Sequence, residues 1–116
     1  MSLEHVVEQL RNDRRISDIT QSGSEFQFVP KGFSTTVRIK ISQEPEAGRM
    51  PFFFEASHHT HTPLQARPLV VDPWERSADA AASRAVEGIL SYIEEAEDMG
   101  FSADDGWLVE NGYWRG

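Results

Sequence analysis

The spacing of hydrophobic positions changes along this chain, and each change predicts a different element. From Ser2 to Arg14, Leu3, Val6, Val7 and Leu10 fall at i, i+3, i+4 and i+7, one apolar stripe of a helix. Ser2 is the predicted N-cap. Glu4 and Glu8 at its start, with Arg11, Arg14 and Arg15 at its end, suit the helix dipole. A period of two then takes over. A short strand is predicted near Asp18 to Gln21, and Ser22-Gly23-Ser24 turns the chain into Glu25 to Val29, where Phe26 and Phe28 share a face. After the Pro30-Lys31-Gly32 turn, Thr35 to Ser42 alternates: Val37, Ile39 and Ile41 on one side, Thr36, Arg38 and Lys40 on the other. Pro51 to Ser57 places phenylalanines on both faces, as in a more central strand, and Leu69 to Val71 is a further short strand candidate. The helical period returns from Asp79 to Met99 through Ala78, Ala82, Ala85, Val86, Ile89, Ile93 and Ala96. Ser77 is its predicted N-cap, Gly100 its C′ residue, and Phe101 is placed to fold back on the last turn. Trp107 to Val109 reads as an edge strand.

Hairpin connections with the helices on one face make this an α+β two-layer sandwich. It has an N-terminal helix, a three- to four-stranded mostly antiparallel sheet, a long C-terminal helix and a short tail. The whole span, 1–116, is expected to be a single domain. The stripe of the long helix should lie on the sheet face that carries Val37, Ile39, Phe52 and Phe54.

Charge sharpens this picture. The formal net charge is −8. Residues 1–49 balance seven basic against seven acidic side chains, whereas residues 50–116 hold four against twelve. Such a surface repels phosphate and anionic lipid, which argues against nucleic-acid and membrane partners and favours solubility or a basic partner. The chain has no cysteine, which removes disulfides, thiolate metal sites and cysteine nucleophiles and fits a cytosolic bacterial protein. The first residues lack the basic and apolar runs of a signal peptide, and no apolar stretch reaches the roughly 18 residues of a membrane span. A cytoplasmic location is the expectation.

The histidines are the sharpest chemical feature. If the strand continues through His58-His59-Thr60-His61, His59 and His61 face one side with Glu55 and Ser57, and His58 faces the other. Imidazoles at i, i+2 can chelate a divalent metal such as zinc, with Glu55 as a third ligand. The same imidazoles, His58 among them, could serve instead as hydrogen-bonding groups for a ligand or partner. The bland alternative is a polar turn. A second feature is Glu94, Glu95, Glu97 and Asp98 at the negative end of the long helix, where acids are disfavoured by about 0.3–1 kcal/mol each. Glu94, Glu97 and Asp98 could form a docking patch for a basic partner, against ordinary solvation of an exposed face. Arg11, Arg14, Arg15, Arg38, Lys40 and Arg67 could gather into a basic patch, and Trp74, Trp107 and Trp114 could line a pocket or simply cover the core. No phosphate-cradling glycine loop or nucleophile elbow is present, and no catalytic residue is assigned.

The order helix, three strands, helix resembles the double-stranded-RNA-binding domain in outline. That family grips phosphate with a lysine-rich start on its second helix; here the matching residues are Ser77-Ala78-Asp79-Ala80-Ala81, so the outline implies topology and not RNA binding. The meander followed by Ser77 to Glu94 is similar in texture to HicB-type antitoxin domains, without a DNA-binding appendage. Ser57-His58-His59-Thr60-His61-Thr62-Pro63-Leu64-Gln65 resembles a segment of small uncharacterised bacterial proteins and brings no function with it.

These features favour a small non-catalytic module that binds a protein partner or a second copy of itself, with no cofactor. The alternatives are a metal-dependent or acid–base enzyme built on His58–His61 and, third, a nucleic-acid-binding domain. An enzyme needs the imidazoles to converge with carboxylates on a concave pocket; a module needs an exposed apolar patch.

Overall fold

The computed structural model describes residues 2–115. In chain order the regular elements are α1 (Glu4–Arg11), β1 (Ile16–Ser22), β2 (Glu25–Pro30), β3 (Val37–Gln43), β4 (Phe52–Ala56), β5 (His58–Thr60), β6 (Trp74–Glu75), α2 (Ala78–Asp98) and β7 (Leu108–Glu110). Short 3₁₀ turns stand at Pro45–Ala47 and Asp105–Trp107. The main sheet is antiparallel throughout, in the order β1-β2-β3-β4-β6, and β5 pairs with β7 in a separate two-stranded ribbon.

Register explains where the core lies. Phe26 stands opposite Ile39, Phe28 opposite Val37, Ile39 opposite Ala56 and Ile41 opposite Phe54. Alternation turns all of them to one face, and all are buried there. The apolar stripe of α2 covers this face with Ala81, Ala82, Ala85, Val86, Ile89 and Ile93. Its alanines let the helix approach closely, and Leu3, Val6 and Val7 bring α1 to the same core. The α+β architecture with a long C-terminal helix on a mostly antiparallel sheet is therefore observed. No helix among the described residues is long and apolar enough to cross a membrane.

The caps of α2 follow the sequence. Ser77 Oγ accepts the Ala80 N–H at 3.1 Å. At the other end Gly100 adopts φ +97°, and the Gly100 and Phe101 N–H groups return to the Glu97 and Ala96 carbonyls at 3.0 and 3.1 Å. This is the paired closure that a left-handed C′ glycine permits.

Other boundaries moved. Leu3, not Ser2, occupies the N-cap of α1, because its fully buried side chain fixes the backbone there; Ser2 Oγ lies 3.4 Å from the Glu4 N–H. The helix stops at Arg11, and Asp13 accepts the Arg15 N–H at 2.9 Å to turn the chain into a longer β1. The main sheet has five strands, not three or four. Leu69 to Val71 is not a strand; the pairing segment lies downstream at Trp74–Glu75. There Trp74 pairs with Phe53, ring centroids 4.8 Å apart, and this aromatic contact sets the register. The tail strand is Leu108–Glu110, and its partner is β5.

Candidate functional site

A gap in β pairing builds an apolar cleft beside α2. The Phe54 N–H donates to the Pro73 carbonyl at 3.2 Å, and the Leu69 N–H donates to the Thr60 carbonyl at 2.9 Å. Between these two bonds, residues 55–59 run past residues 70–72. Among the described residues no backbone hydrogen bond joins the two stretches. Five residues cannot stay in register with three, so the longer side bends at Ser57 and passes from the main sheet into the ribbon.

Ser57 secures this bend. Its Oγ accepts the Arg38 N–H at 2.8 Å and its N–H donates to the Arg38 carbonyl at 2.9 Å. Asn111 holds the same corner: its N–H donates to the Ser57 carbonyl and its Nδ2 to the Ala56 carbonyl, both at 2.8 Å. Behind the gap lies α2. Ala85, Gly88 and Ile89 line the cleft, and Thr60 Oγ1 donates to the Gly88 carbonyl at 3.2 Å. Phe54, Leu69, Val71 and Pro73 complete apolar walls around a cavity of about 260 Å³. Val70 and Tyr113 also line it and are 75% and 90% exposed, so the apolar surface continues outward from the mouth.

Of the residues singled out from sequence, Glu55, His58 and His59 line this cleft. His61 does not; its N–H continues the ribbon to the Trp107 carbonyl at 2.7 Å. Among the described residues no three His, Cys, Asp or Glu side chains are grouped so as to hold a metal ion. His58 Nδ1 lies 2.8 Å from Ser57 Oγ. Burial pushes the imidazole below its ordinary value, and the neighbouring His59 works in the same direction against the opposing pull of Glu110. His58 is therefore disposed to be neutral.

The acidic end of α2 finds cations within the chain. Glu94 lies 3.6 Å from Arg14 and 3.9 Å from Arg15. Arg15 also bonds Asp13 at 2.8 Å and Glu87 at 2.5 Å; these two partners raise its pKa, and its guanidinium in turn holds the Asp13 carboxyl below its ordinary range. Glu94, Glu97 and Asp98 line a shallow groove together with Arg14, Arg15 and Lys31. The groove is thus mixed in charge. The basic residues do not form one free patch, since Arg15 is committed to this junction and Arg38 to Glu25 at 2.6 Å. The tryptophans also part company. Trp107 packs on Phe33, Trp74 on Phe53, and Trp114 under the Arg38 guanidinium at 5.3 Å.

Sequence reasoning missed Gly88, Asn111 and Tyr113 as parts of the site. Gly88 did leave a signal: a lone glycine inside a long, strongly periodic helix costs about 1 kcal/mol against alanine and so marks the position. No protein-family model, curated protein or solved structure matches this chain.

Proposed function

We propose that this chain is a small non-catalytic binding module whose cleft receives an apolar side chain from a partner protein. One observation carries the reading: the gap between residues 55–59 and 70–72 is closed by a hydrogen bond at each end and walled by apolar side chains. Closure at both ends suits a protruding side chain better than a through-running strand. About 260 Å³ is room for one large apolar side chain, and the exposed Val70 and Tyr113 extend the contact beyond the mouth.

Gly88 supplies the test. A Cβ there meets only Leu69 Cδ2, at 3.8 Å, so Gly88→Ala is accommodated, whereas Gly88→Leu grows toward the cleft. A random peptide display library selected on the wild-type chain should enrich sequences that share a large apolar residue. Their binding should survive Gly88→Ala and be lost in a folded Gly88→Leu variant. Enrichment no greater on the wild type than on Gly88→Leu overturns the reading.

A second reading, an acid–base or metal-dependent enzyme, draws on His58, His59 and Glu55 lining the same cleft. It ranks second because His58 is already engaged by Ser57, whose hydroxyl is buried and bound to the Arg38 N–H, and because the walls are mainly apolar. A zinc-dependent rise in melting temperature that disappears in His59→Ala would move it to first place.

A further inference from the structure

Three carboxylates stand at or beside the cleft without a closed ion pair among the described residues. Glu55 lines it, Asp72 lies between the lining residues Val71 and Pro73, and Glu110 stands opposite His58 across the ribbon. None of the three is within 4 Å of a Lys or Arg nitrogen among the described residues. Among the described residues no Lys or Arg lines the cavity. Two nearby cations are engaged elsewhere: Arg84, next to the lining Ala85, reaches Glu75 at 2.8 Å, and Arg38 is shared between Glu25 and the Trp114 ring. Lys40 stands in register with Glu55 on β3 without closing an ion pair.

From this juxtaposition we infer that the partner segment is basic, presenting an apolar anchor residue flanked by lysine or arginine. The inference rests on the side-chain reading of the cleft and adds the chemistry of the flanks. The anchor fills the apolar cavity while cations on either side meet Glu55, Asp72 and Glu110. A second copy of this chain is disfavoured as the occupant, because a net charge of −8 on each copy opposes self-association. Complementary rim charges act mainly on specificity and association rate and weaken with salt.

Three capped peptides separate the two levels of the argument: Ac-GSKLKSG-NH₂, Ac-GSELESG-NH₂ and Ac-GSKGKSG-NH₂. Each is titrated into the ¹⁵N-labelled chain at low salt and followed by amide shifts. The lysine-flanked leucine peptide should perturb Val71, Ala85 and Ile89 and bind at least about tenfold more tightly than the glutamate-flanked one, a difference of about 1.4 kcal/mol. The double variant Glu55→Gln/Glu110→Gln should narrow that ratio, as should 0.5 M salt. Equal binding of the two leucine peptides overturns the basic-flank inference and leaves the cleft reading standing. No shift with either leucine peptide, or equal shifts with the anchorless peptide, overturns both.

Discussion

Asp105 ties two distant stretches of chain together with one carboxylate. Its oxygens accept the Ser34 and Thr35 N–H groups at 3.0 and 2.9 Å and their hydroxyls at 3.0 and 2.6 Å. These donors favour the charged form, Thr35 first, and lower the carboxyl to about 2 despite its exposure. The folded value lies below the ordinary 3.8, so the unfolded chain takes up the proton first as pH falls. The Asp105 contribution to stability is thus complete above pH 3.8 and lost as pH falls through about 2. Asp105→Ala should lower the urea midpoint at pH 7, and its gap to the wild type should close on acidification toward pH 2. His58 acts at milder pH. Its folded value is below the ordinary 6.5, so protonation favours the unfolded chain, and stability should fall as pH drops from 6.5 through the lower folded value. In His58→Gln the melting temperature should vary less between pH 7.5 and 5 than in the wild type.

At the scale of elements, the acidic end of α2 shows how tertiary contacts overrule a local rule. The dipole alone makes every acid there unfavourable. Glu94 nevertheless faces Arg14 and Arg15, delivered by the turn between α1 and β1, while Glu95 is exposed without an ion pair among the described residues. Charge reversal should therefore give opposite signs at neighbouring positions. Glu95→Lys should raise stability by about 0.3–1 kcal/mol through the dipole. Glu94→Lys should lower it, by no more than about 1 kcal/mol, since Glu94 is 41% exposed and its two pairs are long, at 3.6 and 3.9 Å. Urea midpoints of the two variants measure both signs directly.

Over the whole molecule, the cleft is a consequence of connectivity. The chain leaves the main sheet at Ser57, returns at Trp74, and meets its own C-terminal segment in the β5–β7 ribbon. The site therefore draws on β4, β5, the approach to β6, α2 and the residues after β7. Such a site should be sensitive to contacts that join distant segments. Asn111 is the clearest of these, bonding Ala56 and Ser57 from the other end of the chain.

Local periodicity determined both helices, the alternating strands β2, β3 and β4, the caps of α2 and the buried sheet face. A repeating side-chain direction is a property of neighbouring residues, and those residues are adjacent in the chain. It grouped Glu55 with His59 and His61 and turned His58 away, whereas the cleft takes Glu55, His58 and His59 and leaves His61 out. Tertiary structure alone decided that β5 would leave the sheet for Leu108–Glu110, that Trp74 rather than Leu69 would pair with β4, and that Gly88 would open a cavity beneath the gap. Each of these depends on which distant segment takes up an edge, and hydrogen-bond pairing between remote strands leaves no periodic trace in either strand by itself.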